Sequence, residues 1–446
     1  MARGDPTFVR VGAGSGSSNV FEPHRTAPHR TAPHRTSEET MTNSPLELPG
    51  SSDPDSVTAA RPSAPGLDGR TRSTPPAGPV ADMIAAWEGT AQHPLTGITS
   101  GGAAEEALFR LQRTGASTHR LIESAADLLA SLDPVERTEV LQPLGSRNWR
   151  RWSNFAPNLM RHGALLEDLT DDQRDRALGV LRATLSATGF AAARDIMRLN
   201  HTLAELTGHW SDYGEWLYWI SVFGEPSADR PWGWQVDGHH LIVNTFVLGD
   251  QMVTTPMFFG SEPVAADAGA YAGTFVLQEE ERQGYELLQS LTPAQRAVAV
   301  LGGDPPPEVF TGSFRDNFEL RYDGIASSDL TADQQARLRR LVEVYVGRTR
   351  PEHAAVTMGE IDQHLDRTYF AWSGQTGPGA AFYYRIHSPV VLIEFDHLPG
   401  VAFLNRFPTR RHIHTVVRTP NGNDYGADLL RQHYEQTHFD PRHTHQ

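Results

Sequence analysis

Helical and strand patterns occur in separate blocks along this chain, and this separation limits the folds that it can adopt. Apolar residues recur at helical spacing over 171–207, and β-like segments follow between 215 and 255. Helical patterns return between 277 and 368, and a second group of strand patterns follows between 381 and 418. Strict alternation of strands and helices is typical of doubly wound parallel sheets. The blocks instead predict an α+β fold, with a mainly antiparallel β-sheet core and flanking helices.

Local signals set the expected bounds of the individual elements. Thr170 and Gln173 form a capping-box pattern at the start of one helix, and Gly249-Asp250 is typical of a hairpin turn. The predicted helices cover 81–90, 104–131, 171–188, 190–207, 277–290, 293–301, 331–346, 353–368 and 427–435. The predicted strands cover 215–223, 239–248, 252–255, 381–387, 390–396 and 412–418.

The N-terminal region differs in composition from the rest of the chain. Residues 1–79 are rich in Ser, Thr, Pro, Gly and Arg and contain few apolar residues, which predicts a disordered leader. A helical N-terminal segment is expected over 80–168 and the main α+β domain over 169–437. A His-rich tail, 438–446, completes the predicted organisation.

The composition excludes several classes of function. The chain has no cysteine, which excludes disulfides, thiolate nucleophiles, zinc–thiolate sites and iron–sulfur clusters. A bound metal must therefore use His, Asp, Glu or backbone oxygen. The 39 Lys and Arg residues against 54 Asp and Glu give a net charge of −15. Nucleic acids and anionic membranes bind basic surfaces, so neither is an expected partner.

The sequence contains no recognisable targeting or membrane segment. No run approaches the roughly 20 apolar residues of a membrane helix. The first 50 residues lack the apolar core of a secretory signal. We therefore expect a cytoplasmic protein whose partner is a small-molecule substrate.

Histidine is the residue type that most strongly suggests a site. His412 and His414 form an H-x-H pattern at the start of the strand predicted over 412–418. Alternate residues of a strand share a face, so two imidazoles roughly 6–7 Å apart along it can chelate one divalent ion such as Zn²⁺ or Fe²⁺. A half-buried, hydrogen-bonded pair and a solvated surface pair are the alternatives.

A second histidine pair, His239 and His240, follows Gly238 at the start of another predicted strand. Adjacent residues of a regular strand face opposite ways, so one imidazole is expected to face the metal site and the other a hydrogen-bond partner. A bulge at Gly238 would change this arrangement. The sequence leaves open which of the two histidines faces the site.

Charged residues in the last group of strands are candidates for catalysis. Glu394 and Asp396 share one face of the strand predicted over 390–396, and Arg385 and Arg418 lie in neighbouring strand patterns. A buried carboxylate needs a compensating partner. Glu394 is thus either a catalytic group, with the arginines binding an anionic substrate, or part of a structural ion pair with Arg385 or Arg418.

Two further sets of residues have both a functional and a structural interpretation. Asp424 lies at a junction between a strand and a helix, where functional side chains are common, although helix capping explains it equally well. Trp232, Trp234 and Tyr384 are candidates for stacking on a flat ligand such as a sugar. Core packing is the alternative for these aromatic residues.

Several ordered blocks of the chain resemble those of a known family. They are Phe223–Ser227, Trp232–His240, Thr255–Gly260, Phe370–Gly374, Tyr383–His387, Ile393–Asp396, His412–Arg418, Asn423–Leu430 and His433-Tyr434. From about Thr170 to Tyr434 the chain is similar to the family of domains of unknown function numbered 3500. The resemblance implies a shared fold unit. Its Gly-His-His and His-x-His blocks also imply a shared imidazole site, but no particular reaction.

These patterns leave three functions open. The first is a metal-dependent enzyme that uses the H-x-H pair and one of His239 and His240, with Glu394 or Asp424 as fourth ligand or general base. Hydrolysis is slightly favoured over non-haem iron oxidation, because no electron-transfer motif accompanies the site. The second is a metal-free enzyme with a histidine base. The third is a non-catalytic module that binds a carbohydrate or another small molecule.

Overall fold

A computed structural model describes residues 79–156, 159 and 161–438 of the chain. The predicted leader up to residue 78 and the tail from residue 439 lie outside the described residues, so both stay predictions. Within the described ranges, no helix combines the length and the apolar character needed to cross a membrane.

Ten α-helices lie in the described part of the chain, and their capping signals place most of them where the sequence predicts. They are α1 Pro79–Thr90, α2 His119–Ser131, α3 Pro134–Val140, α4 Asp171–Thr184, α5 Ala187–Thr207, α6 Gln278–Ser290, α7 Pro293–Ala299, α8 Ala332–Val346, α9 Pro351–Asp362 and α10 Ala427–His438. The capping box of Thr170 and Gln173 is formed at the start of α4. The helix predicted over 104–131 is wrong in its first half. The chain is irregular there, Gly115 has a left-handed φ of 77°, and α2 begins only at His119.

Twelve of the fourteen described strands form one sheet. The strands are β1 Ile98–Thr99, β2 Leu141–Gln142, β3 Ala164–Leu165, β4 Tyr218–Phe223, β5 Trp232–Gly238, β6 Leu241–Leu248, β7 Gln251–Val253, β8 Met257–Ser261, β9 Phe318–Glu319, β10 Ile325–Ala326, β11 Tyr369–Gly374, β12 Phe382–His387, β13 Leu392–Pro399 and β14 Pro408–Arg418. The sheet order is β10-β11-β12-β13-β14-β8-β6-β5-β4-β2, with β3 beside β4 and β7 beside β6. Within the sheet, β2 and β4 pair in parallel and the other described pairs are antiparallel. The predicted α+β class is therefore confirmed.

The centre of the sheet joins two hairpin regions that are far apart in the sequence. β14 pairs with β8, and β8 pairs with β6, so the turn between β5 and β6 lies beside the middle of β14. Gly260 of β8 stands opposite His414 in this register. A Cβ atom at Gly260 would lie 2.9 Å from the His414 ring and 2.9 Å from the carbonyl oxygen of Ile413, so only glycine fits there.

The two faces of the sheet differ in chemistry. The helical face packs against the helices and supplies most of the main hydrophobic core, including Phe259, Ile393 and Phe395. The loop face contacts the segments 147–156 and 305–316 and carries His414, Glu394 and Asp396. Because cross-strand partners point the same way, the chemically active residues of β13 and β14 share the loop face.

Candidate metal centre

Three histidines from two distant parts of the chain converge on the loop face. His412 and His414 come from β14, and His240 comes from the turn between β5 and β6. The Nε2 atom of His412 lies 3.0 Å from Nε2 of His414 and 3.4 Å from Nε2 of His240. The three potential ligand atoms all lie within 4.8 Å of one another. The histidines that the sequence analysis grouped are therefore together in space. We call these three residues the His triad.

His240 reaches the other two histidines because it lies in a hairpin turn rather than in a strand. The strand predicted to begin at His239 begins at Leu241, so the expected alternation of His239 and His240 does not apply. His240 has a left-handed φ of 65°, and its carbonyl oxygen accepts a hydrogen bond from Gly260 N at 2.8 Å. The turn therefore directs His240 along the sheet toward β14.

His239 supports the triad from outside. Its ring stacks on the His240 ring with centroids 3.7 Å apart, and its Nδ1 lies 2.8 Å from Oδ1 of Asn200 in α5. Burial lowers the pKa of His239 to about 3, so its ring is neutral. Of the two adjacent histidines, His240 is thus the one in the triad, and His239 holds its ring in place.

The hydrogen bonds on the outer nitrogens fix the tautomers of the H-x-H pair. Nδ1 of His412 lies 2.7 Å from the Pro399 carbonyl oxygen, which only accepts, so Nδ1 carries the proton. Nδ1 of His414 lies 2.8 and 3.0 Å from the two carboxylate oxygens of Glu308 and donates to them. In the neutral imidazoles, both Nε2 atoms then present lone pairs to each other at 3.0 Å. This arrangement is repulsive unless a metal ion or a proton on one of the rings lies between them.

The nitrogen separations match those around a divalent metal ion. With metal–nitrogen bonds of about 2.0–2.1 Å, tetrahedral ligands lie about 3.3–3.4 Å apart and octahedral neighbours about 2.9–3.0 Å apart. The His412–His240 and His412–His414 separations, 3.4 and 3.0 Å, lie in the range that these two geometries span, and all three ligand atoms lie within 4.8 Å of one another. The donor set is therefore compatible with one metal ion.

Burial favours the neutral form of His240 and His412, which metal binding requires. The three triad residues are 3–4% exposed. Burial, with repulsion from the neighbouring histidines, holds the pKa values of His240 and His412 well below the usual range. Neutral imidazoles are the form that binds divalent metals.

The family comparison covers this site. A family model described as a protein of unknown function, DUF3500, matches residues 114–427, which include all three triad histidines. The chain belongs to the DUF3500 family. Searches of the curated proteins and of the solved structures find no match.

Three acidic residues that surround the triad of this DUF3500 chain were not all predicted from the sequence. Glu308 bonds to His414, and Glu262 lies 3.7 Å from Nδ1 of His412 while accepting hydrogen bonds from the amides of 401–403. Asp396 stands opposite His414 in the β13–β14 register. Glu308 and Glu262 lie in irregular segments more than a hundred residues from β14, where no periodic pattern marks them.

Glu394, the predicted fourth ligand or general base, has another set of contacts in the DUF3500 fold. Its carboxylate accepts hydrogen bonds from the amides of Phe310 and Thr311, from the Thr311 hydroxyl and from the Tyr383 hydroxyl. These bonds anchor the loop that carries Glu308. Glu394 thus helps to position Glu308, which bonds to the triad. A direct catalytic role for Glu394 stays a prediction that no contact supports.

Arg418 and Asp424, both predicted as catalytic, pair with each other. Arg418 Nε lies 2.7 Å from Asp424, and its Nη2 lies 2.6 Å from Asp316. Arg418 follows His414 by four residues along β14, a distance of roughly 13 Å. Arg385 pairs with Asp323 at 2.6 Å, and Arg418 pairs with Asp316. The alternative prediction, an ion pair between Glu394 and Arg385 or Arg418, is therefore wrong.

The aromatic residues predicted to bind a ligand lie in the hydrophobic core of the DUF3500 domain. Trp232, Trp234 and Tyr384 are 0% exposed and belong to the main core cluster on the helical face. Their rings offer no open surface to a sugar. A small cleft of about 60 Å³ does lie on the helical face, lined by residues such as Val417 and Glu360, but no triad residue lines it.

Proposed function

We propose that this protein binds one divalent transition-metal ion through His240, His412 and His414 and uses it in hydrolysis of a small-molecule substrate. The observation that supports this proposal is the pair of opposed lone pairs on His412 and His414, 3.0 Å apart. Two facing lone pairs in a buried site are unfavourable at this distance, and a metal ion or a proton on one ring relieves the repulsion.

The nature of the donor set favours zinc-type hydrolysis over iron-type oxidation. Three neutral nitrogens match the three-histidine sites of hydrolytic zinc enzymes, in which a fourth position stays open. Non-haem iron oxygenases use two histidines and one carboxylate, and no described carboxylate lies within the triad's own cluster of ligand atoms. A metal held here supplies Lewis acidity to a substrate oxygen or to water.

The residues around the triad position it and limit access to it. Pro399 and Glu308 hold the two β14 rings through their Nδ1 atoms, which is the usual arrangement behind metal-binding histidines. The Glu308 side chain is 27% exposed, whereas the His414 side chain that it contacts is 5% exposed. Solvent therefore approaches the triad beside Glu308. This narrow approach favours a small-molecule substrate.

Titration with Zn²⁺ tests the proposal on the metal-free protein. We expect wild-type protein to bind one ion per chain, and His412→Ala to weaken binding at least 100-fold because one of three ligands is lost. Isothermal titration calorimetry, with a competing chelator where binding is tight, measures both values.

His353→Ala is the matched control for this titration. His353 is also buried, at 5% exposure, but it lies in α9 and bonds to the carbonyl oxygen of Ser117. Its removal should leave Zn²⁺ affinity unchanged. Wild-type protein that binds no Zn²⁺, Fe²⁺ or Co²⁺ would contradict the proposal.

A further inference from the structure

Asp396 is buried beside the triad without a hydrogen-bond partner. Its side chain is 0% exposed, and it stands opposite His414 in the register of β13 and β14, so both side chains are on the loop face. Cross-strand partners of this kind have Cβ atoms about 5 Å apart. Among the described residues, neither Asp396 oxygen has a partner with hydrogen-bond geometry, and the His397 amide adds only a weak favourable interaction.

Other buried acids near the loop face accept a hydrogen bond or pair with a cation, which makes Asp396 an exception. Asp237 accepts a hydrogen bond from Ser153 N at 3.0 Å, and Asp316 and Asp424 pair with Arg418. Asp396 is the only carboxylate among the described buried side-chain atoms that lack a partner. An unpaired buried carboxylate is strongly unfavourable, so a residue of this kind indicates a missing partner.

The surroundings of Asp396 favour its protonated form, and a cation close to it would favour the ionised form instead. Burial raises the pKa of Asp396 well above the usual range, and the carboxylates of Glu308 and Glu394 raise it further. No described arginine pairs with it, although Arg385 and Arg418 lie on the same face and pair elsewhere. The cation position that the structure does offer is the His triad.

We propose that Asp396 is the charge-compensating residue of the metal site, with its carboxylate balancing the divalent cation held by His240, His412 and His414. This inference rests on the proposed function, since it requires the metal. Three neutral imidazoles leave both positive charges of the ion uncompensated. Glu308, bonded to His414, supplies one negative charge close to the rings, and Asp396 supplies a second on the neighbouring strand.

Asp396→Asn and Asp396→Leu test this role without changing the ligands. We expect each variant to bind Zn²⁺ about 10- to 100-fold more weakly than wild type, the usual effect of losing a group that supports metal ligands. Competition with a chromophoric chelator measures the affinity. The melting temperature of the metal-free protein should stay the same or rise, because the substitution removes an unpaired acid. Asp396→Leu gives the same readout if the asparagine variant folds poorly.

Asp237→Asn is the matched control. Asp237 is a buried acid at 2% exposure whose bond from Ser153 N an asparagine oxygen can still accept. It should bind Zn²⁺ within twofold of wild type. If both Asp396 variants keep wild-type affinity, the inference is overturned while the metal site stands. If wild-type protein itself binds no metal, the proposed function fails and the inference with it.

Discussion

Two buried polar clusters on the loop face differ in whether their polar groups are balanced by partners. In the Arg418 cluster, formed by Arg418, Asp316 and Asp424, every charge has a partner of opposite sign at 2.6–2.7 Å. In the His triad, like groups face each other at 3.0–3.4 Å. Asp396 beside the triad has no partner among the described residues. Compensated groups of this kind stabilise a fold, whereas uncompensated groups indicate a ligand.

A buried polar or charged residue can have a structural role or a ligand-binding role. The sequence analysis treated Arg418, Asp424 and the H-x-H pair as parts of one site, because their residue types are equally typical of catalysis. The structure places Arg418 four residues along β14 from His414 and pairs it with Asp316 and Asp424. Residue type therefore made both clusters candidates for a functional site. They differ in whether each buried polar group has a partner.

The largest expected effect is on stability, at the Arg418 cluster. Arg418→Ala leaves Asp424 buried without its cation, while Asp316 keeps its pair with Arg150, and should lower the free energy of unfolding by about 3–5 kcal/mol. Urea denaturation of the metal-free protein measures this change. Zn²⁺ affinity of the folded variant should change less than threefold. A loss of metal binding with unchanged stability would reverse the assignment of the two clusters.

At the His triad, the larger effect is expected on metal binding. His240→Ala should weaken Zn²⁺ binding at least 100-fold, equal to about 2.7 kcal/mol, because a ligand is removed. His239→Ala should weaken it by about tenfold or less, since His239 only stacks on His240. Titration of both variants provides the comparison. An equal loss in the two variants would show that the hairpin turn, rather than His240 itself, holds the ion.

Glu360 provides a third case, because its pKa is shifted although it belongs to neither cluster. Burial alone raises the pKa of Glu360 to about 7 from a usual value of 4.5, in the cleft on the helical face. Because the Glu360 pKa is higher in the folded than in the unfolded state, its protonated carboxyl contributes fully to stability below pH 4.5. This contribution is lost as the pH rises through 7. Relative to Glu360→Gln, wild type should therefore lose about 2 kcal/mol between pH 5 and pH 8.

Urea denaturation of wild type and Glu360→Gln at both pH values checks this expectation. The two proteins should differ least at low pH, where the wild-type carboxyl is protonated in both states. Parallel pH profiles would show that Glu360 titrates normally. Zn²⁺ affinity should be the same in both proteins, since no triad residue lines the cleft.

The smallest expected effect is at Glu308. Glu308→Gln keeps an acceptor for Nδ1 of His414 but removes the negative charge, so Zn²⁺ affinity should fall about tenfold. Chelator competition measures the change. Glu225→Gln, at an exposed acid that pairs with Arg137, is the control and should have no effect. A Glu308 variant indistinguishable from this control would remove Glu308 from the account of the site.

The parts of the fold that depend on local signals were predictable from the sequence. The capping boxes at Thr170 and Thr331 and the hairpin turn at Gly249 place their elements correctly because the chemistry lies within a few residues. β5, β8 and β11 were not predicted as strands. β8 has only five residues, and β5 contains glycine and aspartate, which local propensity disfavours in strands although burial between neighbours stabilises them.

The candidate site was predictable only where strand periodicity applies. His412 and His414 share a face because of the two-residue repeat, which the sequence shows directly. The choice of His240 depends on the hairpin beginning one residue beyond it, and the positions of Glu308 and Glu262 depend on contacts across more than a hundred residues. Such contacts follow from the strand order, which no local pattern determines.

Elemental analysis of untagged protein, purified without a nickel column, tests the central claim most directly. The account predicts close to one zinc, iron or other divalent transition-metal ion per chain, lost together with His412 or His414. Protein that contains no such ion, and takes up none after incubation with stoichiometric Zn²⁺ and gel filtration, would contradict it.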